Sequence, residues 1–408
     1  MPPFLDGEQL LDDLDKLNQF GAEPGPGLNR VAFSPADQAG RAWLAAQMKQ
    51  VGLSVITDAA GSSIGRYKGF DPTLSPIALG SHTDTVPNGG RFDGTLGVLA
   101  ALACVRALHQ AGQRLRHPVE VINFTAEEAT MGAATLGSKA MAGLLDQTAI
   151  EQLAWDGRPV IEHLRAAGID PTAMSQARRP VGRLSAFLEL HIEQGARLEQ
   201  ANLSIGVVEG IVGIRRYHVK FQGQANHAGT TPMVLRRDAL VMAAPFITAV
   251  RDVATAREIV GTIGVFRVAP GAPNIIPGQV YLEFEIRGLV EAVLDRAEAE
   301  LNRLAQEFGG LFERLAVKRS VISDPRLTAA IESACQTLDL SYQRMSSGAG
   351  HDAMCIADIA PQAMIFVPSR GGISHSPEEY TAPEACVNGA RVLLATLLEL
   401  DQMLDNAT

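Results

Sequence analysis

Apolar and polar positions alternate with two different textures along this 408-residue chain. Near the start, Leu10, Leu11, Leu14 and Leu17 recur at helical spacing among aspartates, which predicts an amphipathic helix in the first twenty residues. A second helix is predicted over residues 36–51, stopped by Gly52. Short apolar runs at 53–57, 63–67 and 76–81 read as strands, the last buried by its Ile, Ala and Leu content. Residues 94–111 are rich in small residues and apolar on most faces, as in a buried helix. Strands follow at 119–124 and 184–192. Strands alternating with long helices predict an α/β layered domain.

The texture changes near residues 205–213. Residues 217–222 alternate like a half-exposed strand. A helix is then predicted over 237–255, strands over 259–268 and 279–287, a helix over 290–308 and a last strand within 315–322. That β-α-β-β-α-β order predicts a two-layer α+β sandwich inserted into the larger domain, which resumes with a helix over 325–338. The expected division is therefore 1–209 with 324–408, and 210–323. Gly206, Gly210 and Gly213 punctuate a Val-rich segment and read as a hinge between the two. There is no internal repeat or low-complexity tract.

Composition narrows the class. Apolar residues make up 46% and charged residues 20%, the mix of a globular chain with a large core. Thirty-five basic against forty-five acidic residues leave a formal charge of −10. That balance disfavours nucleic acid and anionic membranes as partners. The longest uninterrupted apolar run, around residues 98–105, ends at Arg106, well short of the roughly 20 residues of a membrane span. The mixed acidic N-terminus does not read as a secretory leader. Cys104, Cys335, Cys355 and Cys386 form no CxxC pair and read as buried, reduced thiols, which points to a cytoplasmic protein.

Candidate chemistry gathers at predicted strand ends, where open α/β sheets bind ligands. His82 and Asp84, two apart in GSHTDTV, share a face. Asp93 stands among glycines just before a helix, where it would serve equally well as a helix cap. Glu127 and Glu128 close a strand as adjacent acids that point in different directions, so one can bind a cation while the other handles protons. His191 ends another strand, and His375 lies in the late loop GGISHSP. His109, His117, His163 and His218 read as structural. Taken singly, each strand-end histidine would equally serve the core, because no ligand pair has a tight spacing. Together, three histidines and acids without thiolate suit two divalent cations, Zn2+ foremost and Mn2+, Co2+ or Ni2+ as alternatives.

The stretches GSHTDTVPNGGRFDGTLGV, TAEE, ELHIEQGARLE, GQANHAGTTPM, PGAPNIIPG, SGAGHDA and GGISHSPEEYT run from residue 80 to residue 381. In them the chain resembles the metal-dependent amidohydrolases of the peptidase M20 type. Within that group it is similar to the hydantoinase/carbamoylase branch, which holds N-carbamoyl-L-amino acid amidohydrolases, allantoate amidohydrolases and bacterial-type β-ureidopropionases. The resemblance implies a di-metal aminopeptidase-like catalytic domain, a mixed sheet flanked by helices, with an inserted lid that also forms a homodimer. It implies one cation on His82 and His191, the other on Glu128 and His375, with Asp93 bridging. Asp84 would orient His82, and Glu127 would be the general base. His227, Asn274 and Arg287 would line the substrate site, His227 reaching the partner subunit's active site, with Gln194 and Gly350 as further candidates. Many relatives follow the two acids with Gly-Ser-Arg-Phe, where this chain has Ala129-Thr-Met-Gly132. The expected reaction is hydrolysis of the carbamoyl C–N bond of an N-carbamoyl-L-amino acid or related ureido acid, releasing ammonia and carbon dioxide. Allantoate hydrolysis is the alternative, and M20-type peptide or N-acyl cleavage a further one that HIEQG and ANHAGTTPM argue against.

Overall fold

A computed structural model describes residues 3–22, 25 and 27–404. Helix α1 (Gly7–Leu17) begins at Asp6, whose side chain accepts from the Gln9 amide, and turns Leu10, Leu14 and Leu17 inward. Helix α2 (Pro35–Gln50) is capped in the same way by Ser34 and has a proline in its first turn. Strands β1 (Ser54–Thr57) and β2 (Ser63–Tyr67) pair antiparallel, and β3 (Ile77–His82), α3 (Thr95–Gln110) and β4 (Val119–Phe124) form a parallel crossover. Three short helices, α4 (Leu136–Ala142), α5 (Gln147–Ile150) and α6 (Val160–Ala166), precede β5 (Ala186–Ile192), α7 (Arg197–Ala201) and β6 (Ile205–Ile211).

The chain continues through β7 (Gly213–Gln222), α8 (Ala239–Ala256), β8 (Val260–Ala269), β9 (Gln279–Gly288), α9 (Glu291–Glu307), β10 (Gly310–Lys318) and β11 (Val321–Ile322). It ends with α10 (Pro325–Thr337), β12 (Tyr342–Ser347), α11 (Asp352–Ile356), β13 (Gln362–Val367) and α12 (Pro383–Met403). Two compact units result, one formed by residues 1–209 with 323–408, the other by 210–322.

The larger sheet has the order β1-β2-β4-β3-β5-β13-β6-β11, with β12 also paired to β6. Its centre, β4, β3, β5 and β13, is parallel. Every residue of these four strands is buried, as a parallel sheet covered on both faces requires. One face packs on α3, α10 and α12, where Leu99, Leu102, Ile331, Leu393 and Leu397 lose all exposure. Removing one such leucine side chain would cost about 2–5 kcal/mol. A separate cluster with Phe33, Met131, Leu136, Val160 and Leu164 gathers α4 and α6 around the early loops.

The second unit is a four-stranded antiparallel sheet, β10-β7-β9-β8. Strict alternation along β7 and β9 buries Tyr217, Val219, Phe221, Val280, Leu282, Phe284 and Ile286 with residues of α8 and α9. This is the α+β two-layer insert that the pattern predicts. Strand β8 lies at the sheet edge and is mostly exposed.

Three expectations change. The strand predicted within 315–322 is two, because β10 begins earlier, at Gly310, and β11 pairs with β6 instead. The glycine segment at 206–213, within which the two units divide, is closely packed: Gly206 faces Phe366 in a strand pair, and an added Cβ would come within 2.6 Å of the Met345 sulfur. At Gly210 a Cβ would meet the Val321 carbonyl oxygen at 2.5 Å, so these glycines serve close packing. Finally, α8 is long and apolar enough by length and composition to span a membrane, although its inner face packs on the sheet.

Candidate metal centre

Parallel β3, β4 and β5 deliver three of the candidate groups to one end of the sheet. His82 is the last residue of β3, the Glu127–Glu128 pair follows β4, and His191 is the penultimate residue of β5. Asp93 arrives on the loop before α3, and His375 on the loop before α12. The helix start demands a glycine: Gly94 has φ +61°, and a Cβ there would sit 2.3 Å from His82 Nε2.

The two oxygens of Asp93 face different partners. Oδ1 lies 3.0 Å from His191 Nε2 and 3.6 Å from His82 Nε2. Oδ2 lies 3.2 Å from His375 Nε2, which is 3.4 Å from Glu128 Oε1. Two groups able to hold a cation therefore share one carboxylate: His82, Asp93 and His191, and Asp93, Glu128 and His375. On the first side both rings turn Nδ1 to a main-chain carbonyl, His82 to Asp84 O at 3.0 Å and His191 to Ile192 O at 2.9 Å. A carbonyl can only accept, so Nδ1 donates, and in the neutral ring Nε2 is the nitrogen left to bind a cation.

Asp84 reaches His82 chiefly through its main chain, its carboxylate being 3.7 Å from Nδ1. That carboxylate accepts instead from the amides of Glu127 and Glu128 at 3.3 and 3.2 Å, which fixes the turn after β4 where Ala126 has φ +49°. Glu127 Oε2 lies 3.6 Å from His82 Nε2. Gln194 donates Nε2 to Asp93 Oδ2 at 2.7 Å, while its buried Oε1 has no hydrogen-bond partner among the described residues.

So many buried acids repel one another. Burial, with Glu128, Asp84 and Asp93 nearby, pushes Glu127 up to about 8. Burial and Asp93 push Glu128 up to about 7. Against the cost of its burial, the Asp93 carboxylate raises His191 to about 9, and hydrogen bonding to Asp93 raises His375 to about 9. Ionising this set together requires added positive charge. The nitrogen and oxygen donors, the shared carboxylate and the orphaned Gln194 oxygen all fit two divalent cations.

Other residues carry the supporting bonds. Glu379, buried, accepts at Oε1 from the Phe92 and Asp93 amides (2.8 and 3.1 Å) and at Oε2 from Ser374 Oγ (2.8 Å). It thereby joins the Asp93 loop to the His375 loop. Glu189 accepts from Ser81 Oγ at 2.7 Å and from the Ala353 amide at 2.9 Å. His351, next to Gly350, meets the His191 ring edge to face with centroids 4.5 Å apart and lies 2.8 Å from Ser347 Oγ. Sequence reasoning misses Glu379 and Glu189, although PEE and ELH stand in the quoted motifs. His117, His163 and His218 pair with Asp401, Asp156 and Glu313, and His109 packs edge-on to Tyr67.

In the second unit, His227 bridges to Ile275, and the Ala228 amide donates to Asn274 O at 3.0 Å, so His227 and Asn274 belong to one corner. That corner leads into the Gln279 end of β9, whereas Arg287 stands at the other end. The eight residue steps from Gln279 to Arg287 span about 26 Å at ~3.3 Å each. Arg287 holds Glu285 Oε1 through Nε at 2.7 Å.

A mixed α/β domain with parallel strand ends converging on a shared carboxylate is the frame of a di-metal hydrolase. The model of Peptidase family M20/M25/M40 matches residues 78–399, and the chain belongs to that family. It is 39% identical to an N-carbamoyl-L-amino acid amidohydrolase of Geobacillus stearothermophilus, over 98% of this chain and 100% of that one. It is 36% identical to a ureidoglycolate hydrolase of Arabidopsis thaliana, over 97% and 87%. Among solved structures, a hydantoinase/carbamoylase-family amidase from Burkholderia multivorans superposes with TM-score 0.88 at 35% identity, covering 97% and 98%.

Proposed function

We propose that this enzyme hydrolyses the carbamoyl C–N bond of N-carbamoyl-L-amino acids, releasing ammonia and carbon dioxide. The observation that carries the reading is the divided Asp93 carboxylate, with Glu127 Oε2 3.6 Å from His82 Nε2 and outside both candidate ligand groups. His82 and His191 would hold one cation, Glu128 and His375 the other, and Asp93 both. Zn2+ suits these donors best, with Mn2+, Co2+ or Ni2+ as alternatives. Bound cations supply Lewis acidity and lower the pKa of water toward 7.

The protein's own groups do the rest. Glu127 takes a proton from the attacking water and returns it to the leaving nitrogen. Asp84 holds that glutamate's main chain and the His82 ring in place. Gln194 and the Gly350 loop flank the substrate. His227 donates to the developing oxyanion: its Nδ1 accepts from the Gly229 and Thr230 amides (3.0 and 3.3 Å), which leaves Nε2 as the proton-bearing atom. Arg287 grips the substrate carboxylate with its planar fork, assisted by Asn274.

A small ureido acid cannot touch both ends of one β9. The separation of His227 and Asn274 from Arg287 therefore supports a shared site, with two lid units of a homodimer each contributing one end. Exposed apolar residues of α8 (Val241, 67% exposed) and the open edge of β8 supply a surface for that pairing. Residues 210–322 would be this lid, and the remainder the catalytic domain. The buried free cysteines support a cytoplasmic setting.

The likeness to a ureidoglycolate hydrolase, and the altered Ala129–Gly132 wall, favour a second reading in which the substrate is another ureido acid such as allantoate. Ammonia release from a panel of N-carbamoyl-L-amino acids, ureidoglycolate, allantoate and N-acyl dipeptides, after reconstitution with each metal, tests both. Turnover of dipeptides alone would overturn both.

A further inference from the structure

Away from the metal centre, one corner of the larger unit is unusually basic for a chain of net charge −10. Ser54 and Ile56 of β1 stand directly opposite Arg66 and Ile64 of β2, and Arg66 stands opposite Glu120 of β4. Alternate residues of a strand share a face, so these five form a continuous floor. The segment 178–183 makes the wall with Arg178, Arg179, Pro180 and Arg183 around a cavity of about 340 Å³.

Four guanidinium groups line this cavity against one carboxylate. That acid, Glu120, is already shared between Arg179 at 2.6 Å and Arg66 at 3.4 Å. Arg178 and Arg183 have no side-chain acid partner among the described residues. The wall is held in place. The Arg179 amide donates to Met141 O, Ser75 Oγ to Gly182 O, the Gly182 amide to Ile359 O and the Arg183 amide to Pro180 O. Arg178 lies over Gly143, whose φ is +76° and where a Cβ would come within 2.7 Å of Nε. Ile56, 60% exposed, and Ile64 give the floor an apolar part.

We propose that this cavity is a second ligand site, for a small organic phosphate whose dianion sits between Arg178 and Arg183 and whose apolar body lies over Ile56. Two unpaired guanidinium forks match a phosphate's oxygens, and a concave wall anchored by main-chain bonds suits a small molecule rather than an extended polyanion. Nothing in this site takes part in the hydrolysis proposed above.

The test is calorimetric titration of the metal-loaded enzyme with phenyl phosphate at low ionic strength, beside the double variant Arg178→Ala/Arg183→Ala. Saturable binding at one site per chain is expected, weakened roughly tenfold or more in the double variant and weakened by added NaCl in the parent. Turnover by the double variant is expected to equal the parent's. Equal affinity in parent and variant would place the phosphate at the catalytic cations and overturn the proposal, as would the absence of saturable binding. Phenylacetate should bind more weakly than phenyl phosphate; the reverse order would overturn the assignment to a dianion.

Discussion

The two halves of the candidate metal centre are built differently. On the His82–His191 side both rings are almost wholly buried, both Nδ1 atoms are held by main-chain carbonyls, and both residues close a central strand. On the Glu128–His375 side the histidine side chain is 49% exposed and its backbone has φ +53° in a loop. That loop lies outside regular secondary structure and is tied to Glu379 through Ser374. A half assembled from strand ends is formed with the fold itself, whereas one assembled from a loop depends on a few side-chain bonds. The first half should therefore bind its cation more tightly and exchange it more slowly.

Asp93 belongs to both halves, so its loss should have the largest effect. Asp93→Ala should leave less than one metal equivalent per chain by elemental analysis and lower turnover about 10⁴-fold or more, since both cations and Glu127's partner charges are disturbed. Glu127→Gln should sharpen the contrast from the other direction: both cations retained, turnover reduced by about 10²–10⁴-fold, the span of a lost general base. If metals leave with Glu127→Gln, Glu127 is a ligand and the division of roles is wrong. Smaller and one-sided is Glu379→Gln. It should weaken one of two cations by about 10–100-fold, as supporting partners of metal ligands do, and leave the other unchanged in a two-site chelator competition. Equal weakening of both would mean that the Asp93 loop, not the His375 loop, is what Glu379 chiefly holds.

Much of this was legible in the chain and some was not, for physical reasons. Strongly periodic or uniformly apolar segments declare themselves: 119–124 is β4 residue for residue, and α3 lies within 94–111. The antiparallel insert shows its alternation in β7 and β9 because one face of each is wet. Strand β13 goes unpredicted because a strand buried on both faces has no period to read; the C-terminal helix α12 also goes unpredicted. At the site, the identity of each strand-end residue is local, but convergence is tertiary. His82 and His191 are over a hundred positions apart, and only the parallel register of β3 and β5 brings them together. That convergence was suggested by the family motifs, not by spacing. Glu379 stayed hidden because a glutamate accepting two amides looks, in sequence, like any solvated acid.

The gentlest test of the comparison is pH, read on the metal-free protein. Glu127 at about 8, Glu128 at about 7, and His191 and His375 at about 9 are all raised above their ordinary values. A group whose pKa is raised by folding stabilises the fold fully below its unfolded value, and that stabilisation is lost as pH climbs through the folded one. The chelated protein should therefore lose thermal stability from pH 6 to pH 9. Asp93, held well below its ordinary value by the three histidines against the cost of burial, works oppositely but only at the acid end. Cation binding must displace these protons, so apparent affinity should rise over the same range, with protons released on binding. The exposed half should titrate in isolation: His375→Gln should flatten the part of the affinity rise that belongs to the weaker cation and leave the tighter one's pH dependence intact. A single, shared pH dependence for both cations, unchanged by His375→Gln, would show that the buried and exposed halves act as one unit.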